Sequence, residues 1–161
     1  MAGLIENILV YIDGTEESVA AAQYAILLAG LTDAHLEALY VVNTRALNDL
    51  VKSRIFLKEE QADYQRDLEL DADKYLQHVQ NLASARGVAV DTYKESGSVH
   101  QEINRIIREH DIDLLVLGRI STIRSRRDEM YDEAERAMRS VNCSVLIVKD
   151  EDRIWDLFES Q

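Results

Sequence analysis

Proline is absent from the 161 residues and cysteine occurs once. A single thiol, Cys143, cannot close an intrachain disulfide, and a structural zinc cluster built on thiolates is excluded with it. In its apolar segment it reads as a small hydrophobe and not as a reactive nucleophile. The lack of proline removes X-Pro isomerisation as a slow folding step and names no function. Basic residues are scarce as well: 18 Lys and Arg stand against 30 Asp and Glu, for a formal charge of −12. Such a surface repels phosphates, and no basic stripe interleaved with aromatics compensates, so nucleic acid is not expected as a partner. No apolar run approaches the roughly 18 to 20 residues that span a bilayer, and the opening "MAGLIENILVYID" lacks the basic flank and cleavage region of a secretory signal. The expectation is a cytoplasmic protein without a membrane span.

What remains is ordinary for a folded domain. Apolar residues make up 47% and charged residues 30%, enough for one real core and too short a chain for two. "NILVYI", residues 7–12, is a short apolar run of the kind buried on both faces of a parallel sheet, and "VAAAQYAILLAGL" after it reads as a buried helix. Thr15 or Ser18 can cap that helix, Glu16 and Glu17 suit its positive end, and Gly30 is expected to close it. "HLEALYVV", residues 35–42, predicts a second strand, followed by an irregular connection, "NTRALNDLVKSRI". Tyr64, Leu68, Ala72, Tyr75, Val79, Leu82 and Ala83 then recur at spacings of three and four, which predicts an amphipathic helix over roughly 56–86, ended by Gly87.

"VAVDTYKES" alternates like a half-exposed strand, and Ser98 with Gln101 forms a capping-box pattern ahead of a helix whose buried face is Val99, Ile103, Ile106 and Ile107. "DLLVLG" gives the fourth strand, about 128–140 the fourth helix, and "SVLIV", residues 144–148, the fifth strand. Strands alternating with helices in this way require a doubly wound α/β fold, a parallel five-stranded sheet with helices on both faces. Its ligand crevice lies beyond the C-terminal strand ends. Asp13, Gly14, Val41, Val42 and Gly118 fall there.

Three stretches resemble the universal stress protein family: "ILVYIDGTEESVAAAQYAILLA", "ALYVVNT" and "DIDLLVLGRIS…EAERAMRSVNCSVLIVK". Their order and spacing carry the likeness over about residues 6–149. It implies strand order 3-2-1-4-5 and a homodimer formed through the fifth strand, and the chain then divides into a domain over 1–149 and an amphipathic tail over 150–161. Many members bind ATP through a Gly-2x-Gly-9x-Gly-Ser/Thr loop, in which glycines let backbone N–H groups reach phosphate oxygens at a helix N-terminus. Here Gly118 matches the first position, whereas Ser121, Tyr131 and Asp132 occupy the other three. A tyrosine ring fills space the backbone needs. A carboxylate puts like charge where phosphate belongs.

Arg119, Arg124, Arg126 and Arg127 stand on the other side of the balance, because guanidinium groups clamp phosphates bidentately. The simpler reading is that they pair with Asp128, Glu129, Asp132 and Glu133 at the start of the fourth helix. Asp13 could bond a ligand or cap the first helix. The candidate ligand-binding residues are therefore Asp13, Gly14, Val41, Gly118, Arg119 and Ser121, with Tyr131 and Asp132 as degenerate loop positions. His35, His78, His100 and His110 show neither zinc-binding spacing nor a paired acid, and no nucleophilic triad assembles. The sequence thus predicts a stress-response regulatory protein without cofactor or metal, more a binding partner of other proteins than an enzyme. The alternatives are an ATP- or AMP-binding module, with magnesium, whose loop is rebuilt on arginines, and a regulatory domain of a larger transporter or signalling chain.

The tail "DRIWDLFESQ" places Ile154, Leu157 and Phe158 on one helical face, which predicts a short terminal helix docked on the body or on a sister subunit.

Overall fold

The computed structural model describes residues 3–53, 57–119 and 133–160. Strand β1 (Asn7–Ile12) leads into helix α1 (Glu16–Thr32), then β2 (His35–Val42), α2 (Thr44–Lys52), α3 (Lys58–Ser84), β3 (Val90–Ser96), α4 (Val99–Glu109), β4 (Leu114–Gly118), α5 (Glu133–Ser140), β5 (Ser144–Val148) and α6 (Glu151–Glu159). The strands form one parallel sheet in the order β3-β2-β1-β4-β5, as expected. β1 lies at its centre, which is why residues 8–12 are buried without a polar interruption.

Alternate residues of each strand feed opposite cores. Ile8, Val10 and Ile12 of β1 join Leu36, Ala38 and Tyr40 of β2 on one face, under α1, α3 and α6. Leu9, Tyr11, Leu39, Val41, Leu115 and Leu117 fill the other, under α4 and α5. The two-residue period of the strand sends neighbours to different layers. Helix α1 is buried almost all round because it sits between the sheet, α3 and α6. Among the described residues no helix is long and apolar enough to cross a membrane.

Three local expectations are corrected. The segment after β2 is not irregular: residues 44–52 are helical. Leu47 is buried and Val51 half-buried, four apart on one face against α3, and the Gln61 amide donates to Asn48 Oδ1 at 2.6 Å. So short a helix draws its stability from packing, which no local signal announces. Helix α1 runs past Gly30 to Thr32, with Asp33 in the left-handed region (φ 62°) and its N–H bonded to Ala29 O at 2.8 Å. An aspartate tolerates that conformation well enough to stand in for glycine. Ser98 occupies the N-cap of α4 without a side-chain capping bond. The N–H of His100, at the second helical position, is taken by Glu133 instead (3.1 Å).

The tail forms α6 on the body of its own subunit. Ile154 and Phe158 are buried in the α1 core, and the Arg86 guanidinium donates to Phe158 O at 3.0 Å while stacking over its ring.

Candidate functional site

The crevice begins where β1 ends. Asp13 Oδ1 accepts from the Thr15 N–H (3.0 Å) and hydroxyl (2.6 Å), and Thr15, the N-cap of α1, accepts from the Ser18 N–H at 3.1 Å. One oxygen of Asp13 is therefore engaged in building the turn, while the cap of α1 is Thr15 and not Asp13. Gly14 follows with φ +84°, and a Cβ there would meet the Tyr75 ring at 3.1 Å and the Tyr40 hydroxyl at 3.6 Å. Glycine is required twice over, by the backbone conformation and by the tyrosines pressed against it. Val41 is buried under α4 and α5, and Arg119 is exposed beyond the end of β4. Ser121, Tyr131 and Asp132 lie outside the described residues, as do Arg124, Arg126 and Arg127.

Gly118, the surviving loop glycine, has a packing reason to be glycine. A Cβ on it would lie 2.5 Å from Glu17 O, 2.6 Å from Glu17 C and 3.0 Å from Ser18 N. All three are backbone atoms of the first turn of α1. The close approach of β4 to α1 demands glycine whether or not a phosphate ever sits nearby.

Carboxylates stand near the strand ends, with Arg119 beyond the end of β4. Burial, followed by the carboxylates of Asp71 and Asp13, pushes the Tyr40 phenol up to about 12, with Tyr75 and Tyr64 adding to the effect. Burial, and after it Asp13, Tyr40 and Glu133, holds the Tyr11 phenol well above its ordinary range. Acids from the turn after β1, from α3 and from α5 thus bear on two phenols at the strand ends. Sequence periodicity had marked Tyr75 as one more residue of a core stripe. Its place beside Gly14 depends on where α3 crosses the sheet.

Each histidine that the sequence left without an acid, apart from His78, gains one in the fold. The His100 ring and Glu133 are hydrogen-bonded through Nδ1 and Oε2, and the Ser98 hydroxyl donates to the same oxygen at 3.4 Å. The His110 ring bonds Glu37 Oε1, while His35 Nε2 sits 3.0 Å from Asp91 Oδ2 and 3.7 Å from Glu37 Oε2. Apart from Glu37 beside His35 on the same strand, these acids come from other strands and helices, 33 to 73 residues away. Among the described residues no group of three or more His, Cys, Asp or Glu side chains is placed to hold a metal ion.

Glu133 is more than a repulsive charge beside the loop. Burial works to raise its pKa, but the hydrogen bonds from the His100 ring and backbone N–H, with the charges of His100 and Arg136, outweigh it and hold the carboxyl below its ordinary range. A carboxyl lowered in the folded state contributes stability that is present above its unfolded pKa, about 4.3, and is lost as pH falls through the folded value. The difference in urea midpoint between the native chain and Glu133→Gln is therefore expected to hold steady near neutrality and to shrink below about pH 4. A difference that grows on acidification would contradict this.

The model of the "Universal stress protein family" matches residues 5–149. The chain belongs to the universal stress protein family. Universal stress protein MJ0531 of Methanocaldococcus jannaschii is 28% identical over 152 residues, covering 91% of this chain and 83% of the relative. Universal stress protein UspA from Lactobacillus plantarum superimposes with a TM-score of 0.71 at 22% identity, over 92% of this chain and 100% of that one. A universal stress protein family protein from Arabidopsis thaliana, solved with AMP bound, gives 0.63 at 13% identity, over 89% of this chain and 91% of that one. At such identities the two solved structures speak for the fold alone. Helix α6 lies beyond the span that the family model covers.

Proposed function

We propose that this universal stress protein acts as a homodimeric regulatory or protective protein in the cytoplasm, working through protein partners and without ATP on the family's glycine loop. The observation that carries this reading is the acidic rim: Asp13, Asp71 and Glu133 all raise phenols at the strand ends where a nucleotide's phosphates would have to approach. A unit-charge pair at about 4 Å is worth roughly 4 kcal/mol at an effective dielectric of 20, and because Glu133 is already offset by His100 and Arg136, the repulsion falls chiefly to Asp13 and Asp71. Ser121, Tyr131 and Asp132 at the loop positions act in the same direction, and Gly118 has its packing reason.

A second reading, an adenine-nucleotide module with Arg119 and its neighbours as phosphate clamp, draws support from the AMP-bound Arabidopsis protein of the same fold. Calorimetry with MgATP separates the two. The unmodified chain is expected to bind at about millimolar strength or more weakly, about −4 kcal/mol, against about −8 kcal/mol for a micromolar site. Micromolar binding would overturn the leading reading. Binding gained only on the triple change Ser121→Gly, Tyr131→Gly, Asp132→Ser would support a crevice that kept its shape and lost its ligand.

The homodimer of this reading forms through β5. This strand is an edge of the sheet, and Val145, Leu146 and Ile147 on it are only half-buried. An apolar edge left open invites pairing with another strand, and this one carries neither proline nor a central lysine to prevent it.

A further inference from the structure

We infer that Trp155, on the open flank of α6, is covered by a second copy of this chain and anchors the contact made by the β5 edge; the inference rests on the dimer reading above. At roughly 100° per residue, Ile154, Leu157 and Phe158 share one side of α6 and Trp155 stands on its shoulder. Ile154 and Phe158 are buried in one cluster with Val148 of β5, against which the half-buried Leu146 and Leu157 also pack. Helix α6 follows β5 after two residues and packs against α1. Beyond β5 the sheet ends. Trp155 is 53% exposed, so this subunit leaves half of the residue uncovered.

Area argues that the second copy reaches it. A stable interface takes about 800 Å² and 20 to 30 residues from each partner, and β5 offers five residues. Pairing of strand edges alone falls well short, and the contact has to spread onto the elements that flank the edge. On one face that element is α6. A large aromatic held on a helix already packed to the core loses little freedom on being covered, and tryptophan at the centre of such a patch is the residue type that dominates interface energies.

The chain contains no other tryptophan, so its fluorescence reports this position alone. In the full chain, dilution through the dimer–monomer transition followed by sedimentation is expected to move the emission to longer wavelength as the indole is wetted. Trp155→Ala is expected to weaken the dimer at least tenfold, about 1.4 kcal/mol, with the unfolding midpoint of the monomer unchanged. Leu70→Ala, a change to an exposed residue on α3, is expected to leave the dimer constant as it is. A dimer whose constant and emission are indifferent to Trp155 would overturn this inference and leave the β5 dimer standing. A monomer throughout would overturn both.

Discussion

Gly118→Ala is expected to cost about 3 kcal/mol of folding stability or more, although the change adds one methyl group at a site that the family uses for phosphate. The added Cβ would have to occupy space 2.5 Å from Glu17 O and 2.6 Å from Glu17 C. Backbone on both sides leaves no flexible side chain to swing away. Relief requires α1 to lift from β4, and α1 is held by its core residues Ala21, Ala22, Ala25 and Ile26, none of them solvent-exposed. Overpacking of a well-filled core costs about 1 to 3 kcal/mol, and a rigid backbone neighbour puts this case at the upper end or beyond. Urea unfolding of the purified variant measures it as a lowered midpoint at unchanged slope. A loss under about 1 kcal/mol would mean that α1 yields easily. The packing explanation of this glycine would then fail, leaving the phosphate explanation in possession.

Loss of the His110 ring is expected to be nearly as damaging, at about 3 kcal/mol for His110→Ala. Glu37 on β2 is 3% exposed, and its Oε1 is hydrogen-bonded to the His110 ring, which closes the C-terminus of α4. Removing the imidazole leaves a buried carboxylate short of a partner, a far larger penalty than the worth of the pair itself. Tyr93 softens the effect without cancelling it: its phenol is raised by burial, then by the charges of Glu37 and Asp91 and a hydrogen bond to Glu37. The decisive control is the double change Glu37→Leu, His110→Ala, which removes charge and partner together and is expected to recover most of the lost stability. Additive losses in the two single variants and the double variant would show that the pair is not coupled.

These two sites show which parts of the molecule were legible beforehand. Gly118 could be located from its apolar approach, "DLLVLG", and its family position, but the sequence offered one reason for it and the fold supplies another. Glu37 sits in "HLEALYVV", where the alternation of a strand buried on both sides leaves no room for a charge. Nothing within 70 residues announces His110 as its partner. The same holds for Glu133, read from sequence as a repulsive neighbour of a phosphate loop and found bonded to His100 across two helix N-termini.

By itself the sequence determined the alternation of elements, the parallel sheet and its two cores. Those follow from local periodicity, in which each apolar residue declares its burial to neighbours a few positions away. The ends of α1, the presence of α2, the partners of three histidines and the subunit to which α6 docks were decided only by tertiary structure. Each depends on which surfaces meet after the chain has crossed the sheet. A hydrogen bond between residues 33 or 73 positions apart, as in His100–Glu133 and His110–Glu37, leaves no periodic trace in the chain that makes it.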